Sequence, residues 1–171
     1  MSVFLRTVAQ SDEKEFLALM LASKTLHQPW ISPPLDQRTF NFYLERMLQS
    51  DHEGLLICES HTHNIVGVIN INNIVRSSFL SATLGYYIGQ PYLGLGYMQP
   101  AIQQLKQYAF TTLGLHRLEA NIQPDNVRSI NLVKRTGFVH EGLSKDYLYL
   151  SGAWRDHERW ACYDKRKSLV P

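Results

Sequence analysis

The sequence predicts an α+β fold, a mixed β-sheet with helices in the order β-α-α-β-β-β-α-β-α-β-β. Three observations predict it. Three strand-like runs follow one another directly in the middle of the chain, which requires antiparallel neighbours. Downstream, strand-like and helix-like stretches alternate, which suits a parallel crossover inside a partly antiparallel sheet better than a doubly wound fold. No repeat, linker or low-complexity segment interrupts the chain, so residues 1–171 read as one domain, slightly above the usual ~100–150 residues.

The elements follow from local pattern. Residues 3–8 are short and β-prone. Ser11 is the expected cap of a first helix, with Asp12 and Glu13 in its first turn, where acidic side chains meet the positive end of the helix dipole. Phe16, Leu17, Met20 and Leu21 then recur at helical spacing. The stretch His27-Gln28-Pro29-Trp30-Ile31-Ser32-Pro33-Pro34 breaks that pattern, because adjacent prolines cannot continue a helix interior. Asp36 caps the next helix, in which Phe40, Tyr43, Leu44, Met47 and Leu48 form one apolar stripe.

Residues 55–59 and 65–71 are strands of a hairpin joined by the polar segment 60–64, and 79–88 completes an antiparallel meander. A glycine-bearing loop over 89–96 leads into a helix carrying Ala101, Ile102, Leu105, Tyr108 and Ala109. Residues 116–123 form a strand. Asp125 or Asn126 opens a helix that ends at Gly137, since glycine accepts the positive φ found just past a helix end. Residues 138–150 and 154–163 are the last two strands, with Gly152 in the turn between them.

Composition sets outer limits. An apolar fraction of 44% and a charged fraction of 19% describe a globular chain. A net charge of +2 with mixed signs gives no extended electropositive surface for nucleic acid. The run Asp164-Lys165-Arg166-Lys167 is read as a solvated tail. Cys58 and Cys162 have neither metal-site nor disulfide-framework spacing and are read as buried thiols. Met1-Ser2-Val3-Phe4-Leu5-Arg6 lacks the basic start and apolar stretch of a signal peptide. No apolar run reaches the ~18–20 residues of a membrane span. A cytoplasmic protein without membrane attachment is expected, as monomer or homodimer.

The chemically informative stretch is Tyr87-Ile88-Gly89-Gln90-Pro91-Tyr92-Leu93-Gly94-Leu95-Gly96-Tyr97-Met98. A strand ends, a tight loop with two close glycines follows, and a helix starts. Such a turn gathers backbone N–H groups at the positive end of a helix, where a pyrophosphate binds well. Glycine lets the backbone approach the phosphate. Taken alone, a Gly-x-Gly turn is more often only a turn. It is neither a Walker loop nor the dinucleotide fingerprint.

Its surroundings sharpen it. Tyr92-Leu93-Gly94-Leu95-Gly96 resembles the acetyl-CoA loop of the GNAT superfamily, Gln/Arg-x-x-Gly-x-Gly/Ala, with Leu93 in the Gln/Arg slot, Gly96 as the first glycine and Met98 in the Gly/Ala slot. Pro124-Asp125-Asn126-Val127-Arg128-Ser129 and Lys134-Arg135-Thr136-Gly137-Phe138 resemble that superfamily's second signature, an Asn-initiated helix ending in Arg-x-Gly-Phe. Leu84-Gly85-Tyr86-Tyr87-Ile88-Gly89, Leu113-Gly114-Leu115-His116-Arg117 and Gly152-Ala153-Trp154-Arg155-Asp156-His157 narrow the resemblance. They point to the bacterial branch that acetylates N-terminal alanine or serine of ribosomal proteins.

The resemblance implies a splayed central sheet with helices on both faces, parting at the end of the strand that finishes at Ile88. It places acetyl-CoA as cosubstrate in that gap, with no metal. Backbone groups at Tyr86, Tyr87 and Ile88 would bond the pantetheine arm, and amides from Leu93, Gly94, Leu95, Gly96, Tyr97 and Met98 the pyrophosphate. Asn126 would reach the arm, Ser129 the thioester sulfur, and the Ile88 N–H the developing oxyanion.

Departures from the pattern matter. Leu93 and Leu95 stand where Gln/Arg and a polar or basic residue are common, so side-chain charge is missing and weaker coenzyme binding is expected. The usual tyrosine acid is replaced by Val133, which leaves Ser129 as the candidate acid. Glu119 and Asn121 share one face of their strand. Glu119 is the candidate base, against a carboxylate merely paired with Arg117; proton loss through water, without a dedicated base, is the other route. Trp30, Tyr147 and Tyr149 are the candidates for the acceptor side, although a tryptophan beside prolines is more often packing. His61 and His63 lack acidic or Cys partners for a metal, and His116 and His157 are read as structural.

Three functions follow. The first is an N-acetyltransferase for the N-terminal α-amine of a ribosomal or similar protein. The second acetylates a small amine (a polyamine, aminoglycoside or amino acid), and a polycation should demand an acidic pocket. The third is a non-catalytic acyl-CoA-binding module.

Overall fold

The computed structural model describes residues 2–166; Lys167 and both ends of the range 1–171 lie outside them. One seven-stranded sheet organises these residues, in the order β1-β2-β3-β4-β5-β7-β6. Its strands are β1 (Val3–Thr7), β2 (Glu53–Glu59), β3 (Ile65–Val75), β4 (Ser81–Ile88), β5 (Arg117–Ile122), β6 (Val139–Leu150) and β7 (Ala153–Tyr163). The helices are α1 (Glu13–Ala22), α2 (Lys24–His27), α3 (Gln37–Met47), α4 (Met98–Thr111) and α5 (Val127–Arg135). All neighbouring strands run antiparallel except β4 and β5, which are parallel. The α+β prediction holds, as does the helix–strand order apart from the extra turn of α2.

Strand alternation divides the core between two faces. Leu56, Cys58, Ile65 and Val68 meet Phe16 and Met20 of α1 and Phe40 and Met47 of α3. Leu55, Ile57, Ile69, Leu84, Leu118 and Ala120 meet Ala101, Ile102 and Leu105 of α4 and Ile130 and Val133 of α5. Val133 is fully buried in this second cluster, which explains why that position holds a packing residue.

Several caps are as the sequence predicts. Asp36 accepts from the Thr39 N–H at 2.8 Å, and Asn126 accepts from the Ser129 N–H at 3.2 Å. Gly137 ends α5 with φ 84°. Ser11 does not cap α1. A short 3₁₀ turn over Gln10–Asp12 precedes that helix, and Asp12 turns back to accept from the Ala9 N–H and from Arg6. The ion pair wins because Arg6, on β1, offers two charged donors to a carboxylate that is only 8% exposed. The expected solvated tail is also tied down as far as Arg166, which donates to the Phe110 carbonyl and to Asp164.

Candidate active site

The sheet opens where its two parallel strands separate. β4 and β5 pair only from Ser81↔Arg117 to Leu84↔Ala120. Beyond that, β4 stays with β3 as far as Gly67↔Ile88, and β5 stays with β7 as far as Ile122↔Glu158. A cleft of about 780 Å³ fills the gap. The Leu80 carbonyl accepts from His116 and Arg117 on the β5 side, whereas the Gly89 N–H donates to Val66 on the β3 side. By alternation the backbone groups of Tyr86 and Ile88 face the cleft, and those of Tyr87 face β3.

The glycine loop closes one end. Gly94 and Gly96 have φ of 78° and 85°, so glycine is required here by conformation. A Cβ at either would meet no protein atom within 4 Å. The Leu93 and Leu95 N–H groups donate within the loop, each at 3.3 Å. Those of Gly94, Gly96, Tyr97 and Met98 are thus the ones left for an external acceptor at the start of α4. Leu93, Gly94, Gly96 and Met98 line the cleft; Leu95 and Tyr97 do not. Leu95 is exposed and Tyr97 buried, the latter giving its hydroxyl to Glu59 at 2.5 Å. Pro100 is the third residue of α4, where an N–H would have no intrahelical acceptor, so the helix loses nothing there.

Where the strands part, the Ser129 and Tyr86 hydroxyls lie 2.5 Å apart. Burial pushes the Tyr86 phenol up to about 12 despite its bond to Ser129. It therefore remains protonated near neutrality and can donate to Ser129, leaving the serine proton free. Asn126, Arg128 and Arg135 line the same side of the cleft. The two arginines come from α5 and bring positive charge to the lining of the cleft.

The opposite face belongs to α2 and the segment that follows it. His27 ends α2, and Trp30 and Ile31 fold back onto its carbonyl, so all three line the cleft. The His27 Nε2–H donates to the Ile88 carbonyl at 2.9 Å. Its Nδ1 is buried without a hydrogen-bond partner among the described residues. Burial pushes the imidazole below its usual titration range, against the Ile88 bond.

Glu119 and Asn121 share this face, as expected, but their surroundings differ. Asn121 lines the cleft, with a buried Oδ1 that has no hydrogen-bond partner among the described residues. Glu119 does not line it. Its two oxygens accept from Arg117 and Arg159, each at 2.7 Å. Burial works to raise this carboxyl, but the two guanidinium groups outweigh it and hold it below the usual carboxylate range.

Trp30 lines the cleft, whereas Tyr147 and Tyr149 do not. Tyr147 lies under Arg159, 5.1 Å from its ring centre, and Tyr149 is 62% exposed against Trp154. His157, read from sequence as structural, lines the cleft. Sequence reasoning also missed His27, Arg128, Arg135 and the Tyr86 side chain. No three His, Cys, Asp or Glu residues cluster for a metal among the described residues, and no described helix is long and apolar enough to cross a membrane.

A parted parallel strand pair with a run of unpaired backbone amides at one end frames the cleft, and comparison with known proteins places the chain in a family. Residues 2–139 match the family described as "Acetyltransferase (GNAT) domain", so the chain belongs to the GNAT acetyltransferase family. It is 47% identical over 93 residues to the [ribosomal protein uS5]-alanine N-acetyltransferase of Escherichia coli (strain K12), covering 54% of this chain and 48% of that one. The match thus spans about half the length of that curated relative. A spermidine N(1)-acetyltransferase of Vibrio cholerae is 27% identical over 115 residues, covering 66% of this chain and 64% of that one. Among solved structures, Mycobacterium smegmatis RimJ in complex with CoA-disulfide superposes with a TM-score of 0.86 at 27% identity, covering 94% of this chain and 81% of that one.

Proposed function

We propose that the chain is an acetyl-CoA-dependent N-acetyltransferase whose acceptor is the N-terminal α-amine of a ribosomal or similar protein. The observation that carries it is the cleft between β4 and β5, with the amide cradle at one end and the Ser129–Tyr86 hydroxyl pair at the point of parting. Acetyl-CoA would supply an activated acetyl thioester. The N–H groups of Gly94, Gly96, Tyr97 and Met98 would hold its pyrophosphate, with Arg128 and Arg135 adding charge. Backbone groups of Tyr86 and Ile88 would align the coenzyme arm as an added strand, beside Asn126.

The chemical roles divide across the cleft. The Ile88 N–H stabilises oxyanion charge. Ser129 gives its proton to the departing sulfur, with Tyr86 donating to the serine oxygen behind it. Asn121 Oδ1 accepts from the acceptor amine or from a water beside it. Glu119, committed to two arginines, has no base role in this scheme.

A protein N-terminus is favoured over a polyamine by the cleft itself. No Asp or Glu lines it among the described residues, while Leu26, Trp30 and Ile31 form an apolar wall. A polycation needs carboxylates that a single small N-terminal residue does not. The test measures thiol release from acetyl-CoA with Ala- and Ser-initiated peptides, spermidine and an aminoglycoside, alongside calorimetric titration of acetyl-CoA. Turnover restricted to the peptides is expected. Turnover on spermidine alone would overturn the acceptor, and failure to bind acetyl-CoA would overturn the whole assignment.

A further inference from the structure

We propose that His157 is the base that receives the proton of the acceptor amine. The proposal rests on the acetyl-transfer function above and adds to it the group that scheme leaves open.

The faces of β5 and β7 narrow the choice. Leu118, Ala120, Ile122, Trp160 and Cys162 point into the core shared with α4 and α5. By alternation, Glu119 and Asn121 point the other way, together with Arg159, which pairs with Asn121. The β7 register continues without a break from Arg159 to His157, opposite Gly142 and Ser144, so His157 also lies on that face. Three ionisable groups able to accept a proton lie toward this side of the sheet: Glu119, which does not line the cleft, and His27 and His157, which do.

Two of these are committed elsewhere. Both Glu119 oxygens are held by arginines. His27 uses Nε2 on the Ile88 carbonyl, and its Nδ1 is sealed from the cleft. His157 is held the other way round. Its Nδ1 lies 2.9 Å from the Arg155 carbonyl, which can only accept. That bond fixes the Nδ1–H tautomer and leaves the lone pair on Nε2. Nε2 has no partner among the described residues, and His157 as a residue is 2% exposed and lines the cleft.

The groups around the ring are consistent with this use. Tyr147 of β6 packs edge-on with ring centres 6.0 Å apart. Arg159 of β7 is stacked on Tyr147 and neutralised by Glu119, Asn121 of β5 is neutral, and His27 of α2 lines the cleft with it. In the step, Nε2 takes one proton from the ammonium and later returns it to solvent. The nitrogen–carbon bond forms as the carbon–sulfur bond breaks, and the second nitrogen proton replaces the one Ser129 gives to sulfur.

The test is His157→Asn, whose amide N–H can still donate to the Arg155 carbonyl. We expect kcat to fall ~10²-fold near neutral pH at saturating acetyl-CoA and acceptor, with acetyl-CoA affinity unchanged. The acidic limb of the kcat profile should differ between wild type and variant, because the variant leaves only the amine's own protonation to shape it. An Ala-initiated peptide and spermidine are both used, so a wrong acceptor shows in the wild type and a wrong base in the variant. A kcat within twofold of wild type, or a lower kcat with an acidic limb identical to that of wild type, would overturn the proposal. Should the variant not fold, ¹⁵N-detected imidazole spectra of the wild type decide without any acceptor. His157 must show the Nδ1–H tautomer and His27 the Nε2–H tautomer; the Nε2–H form at His157 sinks the idea.

Discussion

Ser129→Ala separates catalysis from packing because its hydroxyl has a single buried partner. Losing the acid should slow kcat ~10²-fold, or ~2.7 kcal/mol of barrier, with acetyl-CoA affinity nearly unchanged. The same substitution strands the Tyr86 hydroxyl, which sits 2.5 Å from Ser129 Oγ. An unpartnered buried hydroxyl costs about 1–3 kcal/mol, and the low end applies because Ser129 borders a cleft that water can enter. For a chain of this size that lowers Tm by ~2–4 °C per kcal/mol. Tyr86→Phe alone leaves the serine proton in place and should cost less than ~10-fold in kcat. The double variant removes both hydroxyls, so it should regain most of the stability while kcat stays low. Thiol-release kinetics at saturating substrates and thermal melts of all four proteins make the measurement. If Ser129→Ala keeps kcat within twofold of wild type, the hydroxyl pair is structural and the acid lies elsewhere.

Three further outcomes follow from the same geometry. Gly96→Ala, at φ 85° with open space around the new methyl, should cost ~1–2 kcal/mol in backbone strain. It should keep the fold and weaken acetyl-CoA binding by calorimetry; unchanged affinity would remove the loop from the coenzyme site. Glu119→Gln should change kcat by less than ~3-fold while lowering stability, because Arg117 and Arg159 lose their shared carboxylate; a ~10²-fold loss of kcat would restore Glu119 as the base. Asp12→Asn should destabilise by about 1.5–3 kcal/mol, the worth of hydrogen bonds to a charged group. Asp12 and Glu119 are both held below their ordinary values. Their contribution is therefore complete above ~4.5 and is lost as pH falls through the lower folded values. Denaturant melts across pH 3 to 7 should show a shallower acid loss in each variant; identical slopes would refute the pairing.

Legibility in the sequence tracked how local each determinant is. Asp36 and Asn126 cap helices through residues three positions away, and the loop glycines follow from the turn they must make. The parting of β4 and β5 was legible only through the family resemblance, because nothing local marks where a parallel pair stops bonding. Ser11 failed as a cap because Arg6, brought alongside by β1, competes for Asp12. Pairing of Glu119 with Arg117 was legible two residues away, but its second arginine, Arg159, lies 40 residues away across a strand pairing. Alternation placed Glu119 and Asn121 together, but only the β5–β7 register shows what else shares their face. The Tyr86–Ser129 and His27–Ile88 bonds span 43 and 61 residues, beyond any periodicity argument.

The two histidines also bear on how the cleft can align a coenzyme arm. A strand edge left open offers each exposed residue's N–H and C=O to whatever enters. At Ile88 the carbonyl is already taken by His27 Nε2–H, at 2.9 Å. An arm added along β4 would then find Ile88 as donor only, and both backbone groups of Tyr86 two residues earlier. In the proposed scheme that asymmetry would set the register of the added strand and leave the N–H as the one free backbone group of Ile88, available to the acyl oxygen. His27→Ala would free the Ile88 carbonyl and allow the arm to slip. Weaker acetyl-CoA binding together with a lower kcat is the expected result, whereas His157→Asn should lower kcat alone. If both variants lose coenzyme affinity equally, the two faces do not divide the work in this way, and His157 acts through the shape of the cleft.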